Sequence, residues 1–177
     1  MSKIKWLAVF LSAILLLPFA FAQSTRDPLT DKESDDLREA AQEPLKRIKL
    51  LVKFASERLD TVENIQDEAK SEERGARMHD SLDDFRQIID ELDDNLDDYS
   101  RKNSDLRKAL NDVIEAESQF LSRLQAIKKN AEQPAMADPA KAYQFVLDDS
   151  LEAVSLSLDD AKKSLDEQNE AWAKKKK

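Results

Sequence analysis

Between Met78 and Ser100 the chain carries nine acids, Asp80, Asp83, Asp84, Asp90, Glu91, Asp93, Asp94, Asp97 and Asp98, against Arg86 as the single base. Carboxylates at that density can attract divalent cations, and the sole histidine lies beside them. His79 and Asp83, four residues apart, offer a two-ligand pair with Asp80 adjacent. Asp90, Asp94, Asp97 and Asp98 continue the acidic face. A dedicated calcium site wants about six to eight oxygens from a tight, glycine-containing loop, and no D-x-D-x-D-G pattern is present. These residues therefore predict at most weak, diffuse divalent binding, and no cofactor.

Other chemistries fare worse. One glycine excludes a phosphate-cradling loop, no cysteine excludes thiol chemistry, and one histidine excludes a di-iron centre built on two Glu-x-x-His motifs. The serines have no base within helical reach apart from His79. The chain is expected not to be an enzyme.

The acids must sit on something, and the pattern is helical. Charged residues make up 37% of the chain and aromatics 6%, with five prolines, which disfavours a turn-rich β fold. Leu-Asp-Asp recurs at 82, 92, 96, 147 and 158, each time a seam leucine followed by two outward carboxylates. Like-charge pairs such as Asp90 and Asp94 cost a helix about 0.2–0.5 kcal/mol each. An offset is available in Lys46, Arg47, Lys49, Lys53 and Arg58. A hairpin folding these two stretches together would set Lys53 level with Asp97 and Arg58 level with Leu92 to Asp94.

The first 22 residues read as a secretory signal. Lys3 and Lys5 form the basic start, Trp6 to Ala22 is uncharged, and Ala20-Phe21-Ala22 places cleavage between Ala22 and Gln23. The rival reading is an uncleaved anchor. Without Lys3 and Lys5, 26 bases and 37 acids remain, a net charge of −11. That sign argues against nucleic-acid binding. The expected location is outside the cytoplasm, periplasmic in a Gram-negative host and otherwise extracellular, with no stable membrane insertion after cleavage.

Residues 23–33 read as a disordered lead-in, 34–173 as one helical domain, and 174–177 as a basic tail. Helix 1 carries Leu45, Ile48, Val52, Ala55, Leu59, Val62 and Ala69 on its seam, widened by Leu51 and Ile65. Thr30 with Glu33, or Ser34, offers its cap, and Pro44 predicts a break at 42–44. A change of heptad phase and Gly75 predict a hairpin near 72–76. Helix 2 then uses Met78, Leu82, Phe85, Ile89, Leu92, Leu96 and Tyr99. Leu106, Leu110, Val113, Phe120, Leu124 and Ile127 continue that phase without a slip. Helix 4 follows Asp138-Pro139, with Leu147, Leu151, Val154, Leu158, Ala161, Leu165 and Trp172.

Two architectures fit. Arg101 and Lys102 followed by Asn103, Ser104 and Asp105 favour a break, giving an antiparallel up-down four-helix bundle. The alternative is a long central helix over 75–132, flanked by two shorter helices in an elongated coiled coil. Polar seam residues Gln66, Asn103 and Gln168 mark register or bundle ends. Glu117, mid-helix, calls for a basic neighbour such as Arg123 or a partner chain. The functional expectation is an exported, non-catalytic scaffold or stress-related holdase that binds proteins through helical surfaces. Cation sensing by helix 2 and self-association as a coiled-coil element are the alternatives.

Overall fold

The computed structural model describes residues 26–68, 73–133 and 137–175. The apolar segment 1–22, its Ala22–Gln23 cleavage point, the centre of the first hairpin and the last two lysines lie outside them. Among the described residues all regular structure is helical: α1 (Asp31–Glu39), α2 (Pro44–Asp67), α3 (Arg74–Arg101), α4 (Arg107–Ala131), α5 (Ala137–Ala140) and α6 (Gln144–Lys175). The chain is all-α, with six helical segments among the described residues where four helices were expected.

Local chemistry explains the extra segments. Thr30 caps α1 through a reciprocal capping box with Glu33. Pro44 is the first residue of α2, where its missing N–H costs nothing, so the expected break becomes the 40–43 connection. The lead-in expected to be disordered is engaged from Arg26 onward, because Arg26 pairs with Asp84 at 2.5 Å and Arg58 donates to the Pro28 carbonyl at 2.7 Å. The expected fourth helix is divided at 141–143, a turn closed by Tyr143 N–H to the Ala140 carbonyl. Tyr143 itself is fully buried.

Gly75 lies inside α3 and is not the hairpin turn. A Cβ there would approach the Ala142 Cβ and the Pro139 carbonyl oxygen, each to 2.9 Å. The glycine therefore admits the 139–142 segment onto the start of α3. Gly75→Ala is expected to destabilise the fold by about 1–2 kcal/mol in urea unfolding, since overpacking outweighs the helix preference of alanine. A variant more stable than the parent would show that this contact is not needed.

The long-helix alternative fails at 102–106. Asn103 has a φ of 58°, its N–H reaches the Ser100 carbonyl, and the Ser104 N–H reaches that of Tyr99. This is a Schellman stop with Asn in the left-handed position. Gln168 of α6 secures the link, accepting from the Leu106 N–H at 2.9 Å and donating to the Ser104 carbonyl at 3.3 Å. The other polar seam residue, Gln66, bonds Asn130 at the opposite end.

Helix order differs from a simple up-down ring, in which each helix lies beside its successor. Here α2 packs on α3 and α4, and α6 packs on α3 and α4. Cross-helix bonds set the directions. Arg47 reaches Glu91 and Arg58 approaches Asp84, so α2 and α3 are antiparallel. Lys128 meets Asp148 and Glu117 meets Ser157, so α4 and α6 are antiparallel. Ser150 lies by Leu82 and Ser157 by Asp93, making α3 and α6 parallel. Arg123 spans Ser56 to Glu63 while Asn130 meets Gln66, making α2 and α4 parallel. Successive helices α3 and α4 are thus diagonal, joined through the core by an edge-to-face contact of Phe85 and Phe120 at 5.5 Å.

This arrangement corrects two expectations. Because the turn lies ahead of Arg74, Arg58 sits by Asp84 rather than level with Leu92 to Asp94, and Lys53 pairs with Glu57 rather than facing Asp97. The α2 seam is also rotated. Ile48, Ala55, Leu59 and Val62 are buried as expected, with Leu51 and Ile65 beside them, but Phe54 joins the seam while Leu45 is 47% exposed and Val52 half-buried.

Candidate functional site

The parallel pair α3 and α6 borders an open groove of about 940 Å³. Val146 and Ala153 of α6 are among its lining, and small buried serines of the same helix lie behind them. The Ser150 hydroxyl donates to its own helix at the Val146 carbonyl, 2.6 Å, and comes within 3.4 Å of the Leu82 carbonyl on α3. That approach holds the two helices close and in register. Phe145, Asp149, Glu152 and Leu156 then form one stripe of α6, at offsets of four, seven and eleven residues. His79, Asp83, Arg86 and Asp90 form the matching stripe of α3, and all eight residues line the groove.

Phe145 is 83% exposed and Leu156 60%. Large apolar side chains this open, two on one stripe beside a groove, make this face the candidate site. Neither was singled out from the sequence, although a signal exists: both fall outside the heptad phase of Leu147, Leu151, Val154 and Leu158. The acids between and around them are unevenly satisfied. Arg86 is held between Asp83 and Asp90, and Arg26 between Asp84 and Asp80. Asp149 and Glu152 make no ion pair among the described residues.

The metal candidates are dispersed. His79 Nδ1 is 3.5 Å from Asp80, but Asp80, Asp83 and Asp90 are engaged by Arg26 and Arg86. Asp98 pairs with Lys102 at 2.6 Å, while Asp94 and Asp97 are exposed further along α3. Among the described residues no three His, Asp or Glu side chains form a group placed to hold a metal ion.

One end of the groove reaches Asp93, and behind it lies Glu117, 0% exposed. Both carboxyls contact the Ser157 hydroxyl at 2.5 Å. A hydroxyl has one proton, so it donates to one carboxylate and must accept from the other group in its acid form. Burial pushes Glu117 up to about 8, with Asp93 adding repulsion against the hydrogen bond from Ser157. Burial likewise lifts Asp93 to about 6, aided by Asp90, Asp160 and Asp97. At neutral pH, protonated Glu117 donates to Ser157, which donates to Asp93. The basic partner expected for Glu117 is thus replaced by a proton, since Arg123 is occupied by Asp60 and Glu63.

No protein-family model, curated protein or solved structure matches the chain.

Proposed function

We propose that this is an exported, non-catalytic helical-bundle protein that binds another protein along the α3–α6 face, as a scaffold or stress-related holdase. The exposed Phe145 and Leu156 on one stripe of α6 carry this reading. The signal-like segment 1–22 supports export, into the periplasm of a Gram-negative host. No helix among the described residues is long and apolar enough to cross a membrane. Divalent sensing has less support, because four of the seven proposed ligands are already in ion pairs with Arg or Lys.

The test uses a photo-crosslinking residue in the full chain, expressed in its native compartment. Placed at Leu156, it is expected to yield discrete protein adducts that Phe145→Ser weakens. Placed at exposed Gln125 on α4, it should yield few. Equal yields from both positions would remove the α3–α6 face as the binding surface.

A further inference from the structure

The molecule carries two grooves between parallel helix pairs, and the ring order α2, α3, α6, α4 puts them on opposite sides. The α3–α6 groove has been described: apolar Phe145 and Leu156 with uncompensated Asp149 and Glu152 between them. Across the molecule, the α2–α4 side is lysine-bearing, with a small excess of positive charge. Lys46, Lys49 and Lys53 line one hollow there beside Glu57 and Asp60, and Lys49 with Lys108 lines another beside Asp112. Leu45 and Val52 sit in the same place.

These residues are the ones the heptad pattern would have buried or paired. Leu45 belongs by spacing to the α2 seam yet is 47% exposed. The lysines were complementary on paper to the acids of α3, but the arginines Arg47 and Arg58 took that role. Lys49 and Lys108 make no ion pair among the described residues. Lys46 and Lys53 pair only with acids of their own segment, Glu43 at 3.5 Å and Glu57 at 3.4 Å, contacts worth little in water, and Lys53 also lies 5.4 Å over the Phe54 ring. Among the described residues the large exposed apolar side chains are Leu45, Phe145 and Leu156. All three fall on these two opposed faces, one strongly acidic and the other lysine-bearing.

We infer that a second copy of this chain occupies the α3–α6 groove, presenting its α2–α4 face, so that Leu45 and Lys49 of one copy meet Phe145, Asp149, Glu152 and Leu156 of the next. The inference rests on the reading of the α3–α6 face as a binding surface and names its occupant. The two faces differ, so the contact is heterologous: each copy keeps one face free, and association runs on head to tail. Charge sets the orientation, because the reverse face would set acid against acid. A foreign basic amphipathic helix is the competing occupant and becomes an outcome of the test.

Two blocked proteins decide it. One carries Phe145→Ser with Leu156→Ser; the other carries Leu45→Ser with Lys49→Glu. All four positions are exposed, so both proteins should keep the helical signal of the parent. In sedimentation over about 10–500 µM, the unaltered chain is expected to grow in mean mass past a dimer, and each blocked protein to stay monomeric. Their equimolar mixture should form a heterodimer and stop there, since each supplies the face the other lacks. A monomeric parent, or a mixture that remains monomeric, overturns the inference. Association that only the Phe145/Leu156 block abolishes would mean that this face pairs with itself, which overturns it as well. A monomeric parent that still crosslinks from position 156 leaves the binding face standing with a foreign occupant, so the two failures are separable.

Discussion

Glu117→Gln is expected to raise the melting temperature at pH 8.5 by about 8 °C and to flatten the pH dependence of stability above pH 6. Glu117 is fully buried and its carboxyl is pushed up to about 8, from 4.5. A group raised in the folded state lends stability that is complete below its unfolded value and is lost as pH rises through the folded one. Glu117 therefore favours folding at pH 4–5 and withdraws that contribution towards pH 9. Asp93 does the same through about 6. At about 1.4 kcal/mol per unit, the Glu117 loss is on the order of 3–4 kcal/mol after allowance for relaxation, and each kcal/mol moves a domain of this size by about 2–4 °C.

Glutamine cannot ionise, yet its amide can donate to Ser157 as the protonated acid does. The groups facing the site are Asp93 on α3, with Asp90 and Asp97 nearby, and Ser157, Asp160 and Lys162 on α6. Of these, Ser157 by its hydrogen bond and Lys162 by its charge favour the charged form of Glu117, and burial with Asp93 outweighs them. Calorimetric melting of both proteins from pH 5 to 9 is the measurement. Parallel curves would show that Glu117 does not titrate in this range and would undo the proton-sharing arrangement with Ser157.

Arg58→Ala is expected to cost about 3 kcal/mol and to release α1 from the bundle. Arg58 is the clasp of the amino-terminal segment. It donates to Glu33 at 2.6 and 3.0 Å and to the Pro28 carbonyl, and lies 4.0 Å from Asp84. Its side chain is 14% exposed and that of Glu33 11%. Removing one member of a largely buried pair strands the other, typically at about 3–5 kcal/mol; residual exposure places this case at the lower end. Burial pushes Glu33 up, but the bonds from Arg58 and Thr30 outweigh it and hold the carboxyl below its ordinary value. The stability from this pair is present above the ordinary carboxylate range and is lost as pH falls, the reverse of Glu117. Hydrogen exchange should show residues 31–39 opening in the variant while α3 and α4 stay protected. Unchanged protection of α1 with a loss below about 1 kcal/mol would mean that Arg58 is not the clasp.

Much of this was readable along the chain. The Thr30–Glu33 cap, the break at Pro44 and the helix end at Asn103 depend on residues within a few positions of one another. Most acids of α3 are exposed as the Leu-Asp-Asp spacing implied, but Asp84 and Asp93 turn inward to Arg26 and Ser157. The polar seam residues were recognised as exceptions, but not what satisfied them. Gln168 bonds a link 62 residues away, and Glu117 meets Ser157 40 residues on. The candidate face escaped because Phe145 and Leu156 look like ordinary apolar residues until the neighbouring helix is placed.

The amino-acid sequence by itself determined that this chain is helical, acidic, poor in the residues of catalysis and interrupted at defined points. Those properties come from backbone preference and side-chain type, which act locally. Tertiary structure decided which helices are neighbours. Heptad spacing says which side of a helix is apolar and is silent on what covers it; the phase even runs unbroken from Met78 to Ile127 across a real turn. Diagonal placement of α3 and α4 made two parallel pairs, rotated the α2 seam, and left Leu45 outside with Phe145 and Leu156. The opening acids thereby changed meaning: most balance nearby arginines and lysines, Asp93 turns inward to Ser157, and Asp94 and Asp97 stay exposed further along α3.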